Sequence, residues 1–345
     1  MDTLLGLDYN TWWFLVIGAL FTGYAILEGF DFGAGSWHLL LKNEQDRRIA
    51  LNAVGPVWDG NEVWLVIGGG ALFAGFPIVY ASMFSAMYTP LMLFLAFIIF
   101  RAVSIEFRSK EEMLWWKKTW DIAYSVSNIM LAFLLGVVLG NVLQGIAIDA
   151  NNNYQGNALL DFITPYSALT GLTTLTLFMS HGAIYLILKS EGKLYDKLAI
   201  FQKYAMISFI VIFGITSLFT LLYIPHLSDK LKENPIMFLF PLLITLSIAN
   251  IPRLAFKKQY FKAFLFSSIT ISLLMMLCAI ELFPNLLISS IDNQYNITIY
   301  SAASSVKSLK IMMTIVAIGL PLVALYFGFV YKTFRGKVKL DETSY

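Results

Sequence analysis

The sequence predicts an all-α, polytopic membrane protein of nine transmembrane helices, and three observations carry that reading. Of 345 residues, 58% are hydrophobic and only 13% are charged, against about 25% charged in ordinary soluble domains. Apolar runs long enough to cross about 30 Å of hydrocarbon, at about 1.5 Å rise per residue, recur along the chain. Basic residues fall in alternate loops, as they do when one side faces the cytoplasm. The same numbers exclude other classes. With 28 Phe, one cysteine (Cys278) and a net charge of +2, the chain is neither disordered, nor collagen-like, nor a disulfide scaffold. It also carries no basic field for nucleic acid.

The runs lie at about 12–33, 51–76, 79–100, 122–146, 162–188, 204–224, 235–251, 260–283 and 309–331. Trp12 and Trp13 open the first, and Trp115, Trp116 and Trp120 precede the fourth, as an interfacial aromatic belt would. The first run lacks the short apolar core and cleavage site of a removable signal peptide. The second carries Asp59 and Glu62, so the basic residues must test it. With nine spans and an outer N-terminus, 20 of the 24 Lys and Arg residues fall inside. Only Lys230, Lys232, Lys307 and Lys310 fall outside. Without the second span, Lys42, Arg47 and Arg48 would face the wrong side, so the expected topology is N-out and C-in. The loops, including the polar 149–161 segment, are too short for a soluble domain, so any chemistry lies within the bilayer.

That chemistry points to four acids. Glu28 and Asp31 are three residues apart, and Asp59 and Glu62 repeat the spacing, so each pair shares a helix face. Counted along the runs, Glu28 lies about five residues, or ~8 Å, from its inner end, and Asp59 about eight, or ~12 Å. A lone carboxylate in lipid costs roughly 2.5–3.5 kcal/mol, and like charges so close cannot all ionise there. Such pairs suit a proton relay or a cation site. The plainer alternative is that one acid of each pair neutralises Arg47, Arg48 or Arg101. Arg101, Glu106 and Arg108 form an expected cluster at the inner end of the third run, paired with loop acids or bracketing a quinone head group or a propionate. Glu281, near an outer end, reads as an interfacial acid.

Gly68-Gly69-Gly70 gives the second span a smooth flank for close helix contact. His38, His181 and His226 have no ligand spacing, and Cys278 with Met275 and Met276 reads as packing. No phosphate-binding loop, GxGxxG or CxxC is present. On its residues alone the chain shows no redox centre and no metal site.

The residues singled out also fall in a family pattern. Gly29-Phe30-Asp31-Phe32-Gly33 and Gly55-Pro56-Val57-Trp58-Asp59-Gly60-Asn61-Glu62-Val63-Trp64-Leu65 closely resemble subunit II of cytochrome bd-type quinol oxidases. So do Gly69-Gly70-Ala71-Leu72-Phe73-Ala74, Arg101 with Glu106-Phe107-Arg108-Ser109-Lys110, and Gly140-Asn141-Val142-Leu143-Gln144-Gly145. The distinctive motifs cover about the first 145 residues. The resemblance implies one membrane domain of two four-helix bundles, about 1–146 and 162–283, plus a peripheral helix at 309–331. It implies a bacterial plasma-membrane complex that oxidises ubiquinol or menaquinol and reduces dioxygen to water, with protons drawn from the cytoplasm. Haems b and d belong to an obligate partner, subunit I, and a small single-span accessory subunit and a structural quinone occur in the family. No catalytic residue or haem ligand is then expected in this chain.

Residue by residue, Asp59 resembles the carboxylate of a cytoplasmic proton pathway, and Asp31 the family's Gly-Phe-Asp acid. Glu28 stands where some relatives have Asp, and Glu62 completes the group. Trp64 resembles a tryptophan near an apolar path for dioxygen. Trp58, Gly60, Asn61, Gly69 and Gly70 match interface or packing positions. His181 falls where some relatives have Gln. The competing reading from another class is a proton- or cation-coupled transporter, since buried carboxylates also mark substrate pathways. Against it, the sequence shows no Gly/Pro-interrupted spans placed correspondingly in two halves.

Overall fold

The computed structural model describes residues 3–157, 160–227, 229 and 235–340. Lys230 and Lys232 lie outside the described residues. Among these, eleven α-helices follow in order: α1 (Tyr9–Ser36), α2 (Glu44–Val54), α3 (Trp58–Gly75), α4 (Pro77–Ala86), α5 (Tyr88–Phe107), α6 (Leu114–Gln144), α7 (Pro165–Lys189), α8 (Gly192–Tyr223), α9 (Leu239–Phe256), α10 (Tyr260–Leu282) and α11 (Val306–Thr333). Eight are each long and apolar enough to cross a membrane, and α3 with α4 makes a ninth candidate, bent by 120°. The fold is the expected polytopic helical one. Two short antiparallel ribbons, Thr3–Leu4 with Leu7–Asp8 and Asn285–Leu287 with Ile297–Thr298, complete it.

The runs at 51–76 and 79–100 are divided differently from the expectation. Residues 51–54 belong to α2, whose sequence is polar along one side and which buries Ala50, Leu51, Ala53 and Val54. The chain then breaks at Pro56, which has no N–H to continue the helical ladder. Crossing therefore begins at Trp58. A second break falls at Phe76, where Pro77 takes the first position of α4, a place proline favours. The third crossing is α5, beginning at Tyr88 rather than near Val79. The α3–α4 pair is the one broken-span candidate among the described residues. The interruption that marks transporters thus occurs once, with no bent counterpart there.

Hydrogen bonds sort the helix ends into two groups. At one end Lys197 Nζ donates to the Leu40 carbonyl at 2.8 Å, and Lys337 Nζ to that of Ser190 at 2.7 Å. These links join the ends of α1, α7, α8 and α11 that carry the basic residues. At the other end Ser304 N donates to the Gly75 carbonyl, Ser82 to Asn152 and Ile146 N to Ile288. The α4 helix therefore lies with the loops of the sparsely charged side.

Helices α1, α6 and α7 form the centre, and small residues bring them together. The Thr170 hydroxyl donates to the Gly136 carbonyl at 2.9 Å, so α6 and α7 touch backbone to side chain. Where α1 crosses α7, Gly33 meets Gly182. A Cβ on Gly33 would lie 1.8 Å from the Phe178 carbonyl oxygen, and one on Gly182 would lie 2.2 Å from the Ala34 nitrogen. Lipid supplies no hydrophobic drive between helices, so close packing carries the association. The α7 helix starts on a reciprocal cap: the Thr164 hydroxyl accepts from Ser167 N and the Ser167 hydroxyl from Thr164 N. At the periphery α11 buries only Leu309.

The crossing yields a prediction. Gly33→Val must separate α1 from α7 and should reduce detergent-stable protein to a small fraction of wild type. Gly214→Ala, where an added Cβ meets nothing within 4 Å, should leave the yield unchanged. Size-exclusion yield from membranes reads both.

Candidate functional site

Three of the four singled-out acids converge on Arg101, which α5 delivers near its C-terminal end. Glu28 and Asp31 come from the buried last turns of α1, and Glu62 from the second turn of α3. The Arg101 Nη1 lies 3.0 Å from Glu28 Oε2 and 2.5 Å from Glu62 Oε1, and Nη2 lies 3.9 Å from Asp31 Oδ2. Glu28, Asp31 and Arg101 are all fully buried. The guanidinium also sits over the Phe32 ring, 4.9 Å from its centroid, and faces Trp58 at 5.6 Å. Trp58 thus packs on the arginine itself.

One guanidinium balances one carboxylate. The remaining two acids must hold protons or meet a cation, since an isolated charge in such a site costs several kcal/mol. Glu28 Oε1 and Asp31 Oδ1 accept no hydrogen bond among the described residues. Asp31 is held on its other oxygen by Asn61, which donates at 2.7 Å, and the Asn61 carbonyl accepts from Tyr331 of α11 at 3.1 Å. The Tyr24 hydroxyl donates to Glu62 at 3.3 Å. Asn61, read from sequence as packing, is a polar link from the acids to the last helix.

Asp59 is placed differently from the expectation. The break at Gly55-Pro56 puts it in the first turn of α3, not ~12 Å inside a span, and there it is exposed. A carboxylate in a first helical turn is favoured by the positive end of the helix dipole. It lies one turn before Glu62, which is itself 13% exposed through its side chain. The row Asp59, Glu62, Arg101 therefore leads from the surface into the buried group. Trp64 packs its ring on Gly23, 2.5 Å from where a Cβ there would be, and edge-on to Phe327 at 5.7 Å. Gly60 is half-buried, and Gly69 and Gly70 meet nothing within 4 Å of an added Cβ. Their flank is open on this chain, whereas Gly68 contacts Phe21.

Arg101, Glu106 and Arg108 do not form one cluster. Seven residues separate the arginines, and each serves a different acid group, while Glu106 is exposed. Arg101 is only 1% exposed, with Nη1 on Glu28 and Glu62, so the packing of this chain closes it off from a quinone head group or a propionate at the surface. Arg108 binds Asp121 through Nε at 2.5 Å and Glu44 through Nη2 at 2.8 Å. Asp121 also takes His38 at 2.5 Å and Arg47 at 2.8 Å. Partial burial pushes the Glu44 carboxyl up, but Arg108 and Lys117 outweigh it and hold the group below its usual range. Asp121 was missed because it stands just before an apolar run. Three nearby cations of the same end, Arg47, Arg108 and Lys117, were the available signal.

Each histidine has a polar partner within the fold. His181 contacts Ser267 through Nδ1 at 2.9 Å and the Ile26 carbonyl through Nε2 at 3.2 Å, and stacks on Phe264. His226 Nε2 meets the Leu143 carbonyl. His38 is fully buried, with Nε2 on Asp121 and Nδ1 without a hydrogen-bond partner among the described residues.

Removing one partner of a buried ion pair costs about 3–5 kcal/mol. Arg101→Gln should therefore lose most folded protein, while Arg101→Lys, which keeps the charge but not the fork, should retain more. Thermal denaturation of extracted protein measures both.

Comparison with known proteins agrees with this architecture. A solved bd oxidase from Geobacillus thermodenitrificans superposes with a TM-score of 0.78 at 17% identity, over 94% of this chain and 98% of that one. In sequence the chain is similar to the cytochrome bd ubiquinol oxidase subunit 2 of Bacillus subtilis, 34% identical over 96% of this chain and 97% of the relative. It is 29% identical to the cytochrome bd-I ubiquinol oxidase subunit 2 of Escherichia coli, over 96% and 95%. The family model for cytochrome bd terminal oxidase subunit II matches residues 9–334, and this chain belongs to that family.

Proposed function

We propose that the chain is the haem-free subunit II of a bacterial quinol:oxygen oxidoreductase that oxidises quinol and reduces dioxygen to water. Its two roles are to stabilise a haem-bearing subunit I and to supply protons from the cytoplasm. The observation that carries the second role is the row from exposed Asp59 through Glu62 to the buried Arg101 group. In this reading Asp59 collects a proton at the inner surface. It passes the proton one helical turn on to Glu62, and the Arg101 guanidinium holds Glu28 and Asp31 as an internal store of exchangeable protons. Tyr24, donating to Glu62, orients the acid that receives the proton. The last step, to the site of water formation, lies in the partner.

The haems supply the redox chemistry and are assigned to subunit I. The open flank of α3 at Gly69 and Gly70, continuous with exposed Val66 and Phe73, is assigned to the subunit I contact. Trp64, on the other face of α3 against Gly23 and Phe327, is assigned to an apolar oxygen path. The helices are read as two four-helix units, about 1–146 and 162–283, with α11 outside them, and a small single-span subunit is a further partner.

Two experiments test the proposal. Extraction should yield this chain with a haem-bearing second subunit and quinol-dependent oxygen uptake, whereas stable coupled transport by the chain alone in liposomes would refute it. Asp59→Asn should slow oxygen reduction by at least about tenfold while the haem absorbance stays near wild type. Glu28→Gln should slow it less. Loss of all haem from Asp59→Asn would instead make Asp59 an assembly residue.

A further inference from the structure

Helices α9 and α10 enclose a groove of about 590 Å³ on the outer flank of the chain, far in sequence from the acid cluster. Leu246, Asn250 and Arg253 line it from α9, and Phe266, Ile269 and Leu273 from α10. Its floor is closed by the Ser247 hydroxyl, 2.9 Å from that of Thr270. Leu246 is 58% and Ile269 44% exposed, so the groove opens away from the protein core.

The α9 wall ends in Arg253, and Lys257 and Lys262 lie beyond the lining, at the turn. Along α10 the spacing Lys262, Phe266, Ile269, Leu273 keeps one helix face, and Leu246, Asn250, Arg253 does the same for α9, with Lys257 one residue past its end. The two stripes meet at the turn joining the helices, on the side the charge count assigns to the cytoplasm. Arg253 Nη1 donates to the Asn250 side-chain oxygen Oδ1 at 3.2 Å, which steadies the guanidinium at the mouth. Arg253, Lys257 and Lys262 are all exposed. Along its length the groove therefore changes from apolar to amide to cationic.

Length selects the occupant. The α9 lining runs from Leu243 to Arg253, which at about 1.5 Å per residue is ~15 Å, half of a ~30 Å hydrocarbon core. A transmembrane helix of a partner would need the whole thickness. A soluble anion would need no apolar groove, and bulk acyl chains would need no cations. We infer that this groove binds an anionic phospholipid of the cytoplasmic leaflet, with an acyl chain along Leu246 and Ile269 and the phosphate at Arg253, Lys257 and Lys262. Basic pockets between helices on this side are suited to such head groups, and each cation contributes several-fold in affinity. The inference goes beyond the oxidase reading and rests only on the sidedness of the α9–α10 turn.

The test uses the assembly as isolated, stripped of lipid in detergent and titrated with phosphatidylglycerol or phosphatidylcholine, with bound lipid counted by native mass spectrometry. Phosphatidylglycerol should be retained preferentially, by roughly a hundredfold for three cations. The triple variant Arg253→Gln, Lys257→Gln, Lys262→Gln should lose that preference, and Ile269→Trp should lower retention of both lipids. The control Lys193→Gln, Lys203→Gln should bind as wild type. Equal retention of both lipids by wild type overturns the inference, as does unchanged phosphatidylglycerol binding by the triple variant. Displacement of the lipid by inorganic phosphate alone also overturns it, as does efficient cross-linking of Leu246→Cys to another subunit. Haem absorbance and oxygen uptake, read in parallel, separate a failed lipid site from a failed oxidase assignment.

Discussion

A guanidinium placed inside a bilayer must bring its own counter-charges, and in this chain that requirement organises the first half of the fold. Arg101 is held by acids from two other helices, so α1, α3 and α5 are fixed in rotation and depth by one side chain. The demand is reciprocal. Glu28 and Asp31 draw their counter-charge from it, and the rings of Phe32 and Trp58 pack against the guanidinium. A site with three acids and one cation is also unlike a closed ion pair. Its charge is balanced only when the two surplus acids hold protons or meet a further cation.

The second charge group, around Asp121, works at a different level. It lies at the helix ends, joins the loop after α1 to α2, α5 and α6, and includes partly exposed Glu44 and Arg47. Water competes for Glu44 and Arg47, so their pairs contribute less, whereas His38, Arg108 and Asp121 are as buried as Arg101. Arg101 within α5 thus serves one acid group, and Arg108, just past its end, serves the other.

The membrane class, the number of candidate spans and the three convergent acids were legible in the sequence because burial of charge is rare in lipid and basic residues keep to one side. The Gly-Phe-Asp and Trp-Asp-Gly-Asn motifs led to the family. The division of 51–100 into four helices was not legible, since hydropathy averages over Pro56 and Pro77 while helix direction does not. Depth counted from a continuous run therefore misplaced Asp59. Partner choice was also hidden. Glu106 and Arg108 are neighbours in sequence, but a helix turns them to different faces, and Arg108 meets Asp121 thirteen positions on. Tyr24 and Tyr331 read as ordinary aromatic residues until the fold brought their hydroxyls to polar atoms.

The link from Tyr331 through Asn61 to Asp31 has a consequence for biosynthesis. Spans enter the membrane in chain order, so α1, α3 and α5 are present with their acids long before α11 emerges. During that interval Asn61 lacks the hydroxyl that fixes its amide orientation, and Asp31 lacks a settled donor. Arrival of α11 supplies it. A helix that buries a single residue of its own thus acts as the closing element of the interior, making completion of the polar group a report that the whole chain has been inserted.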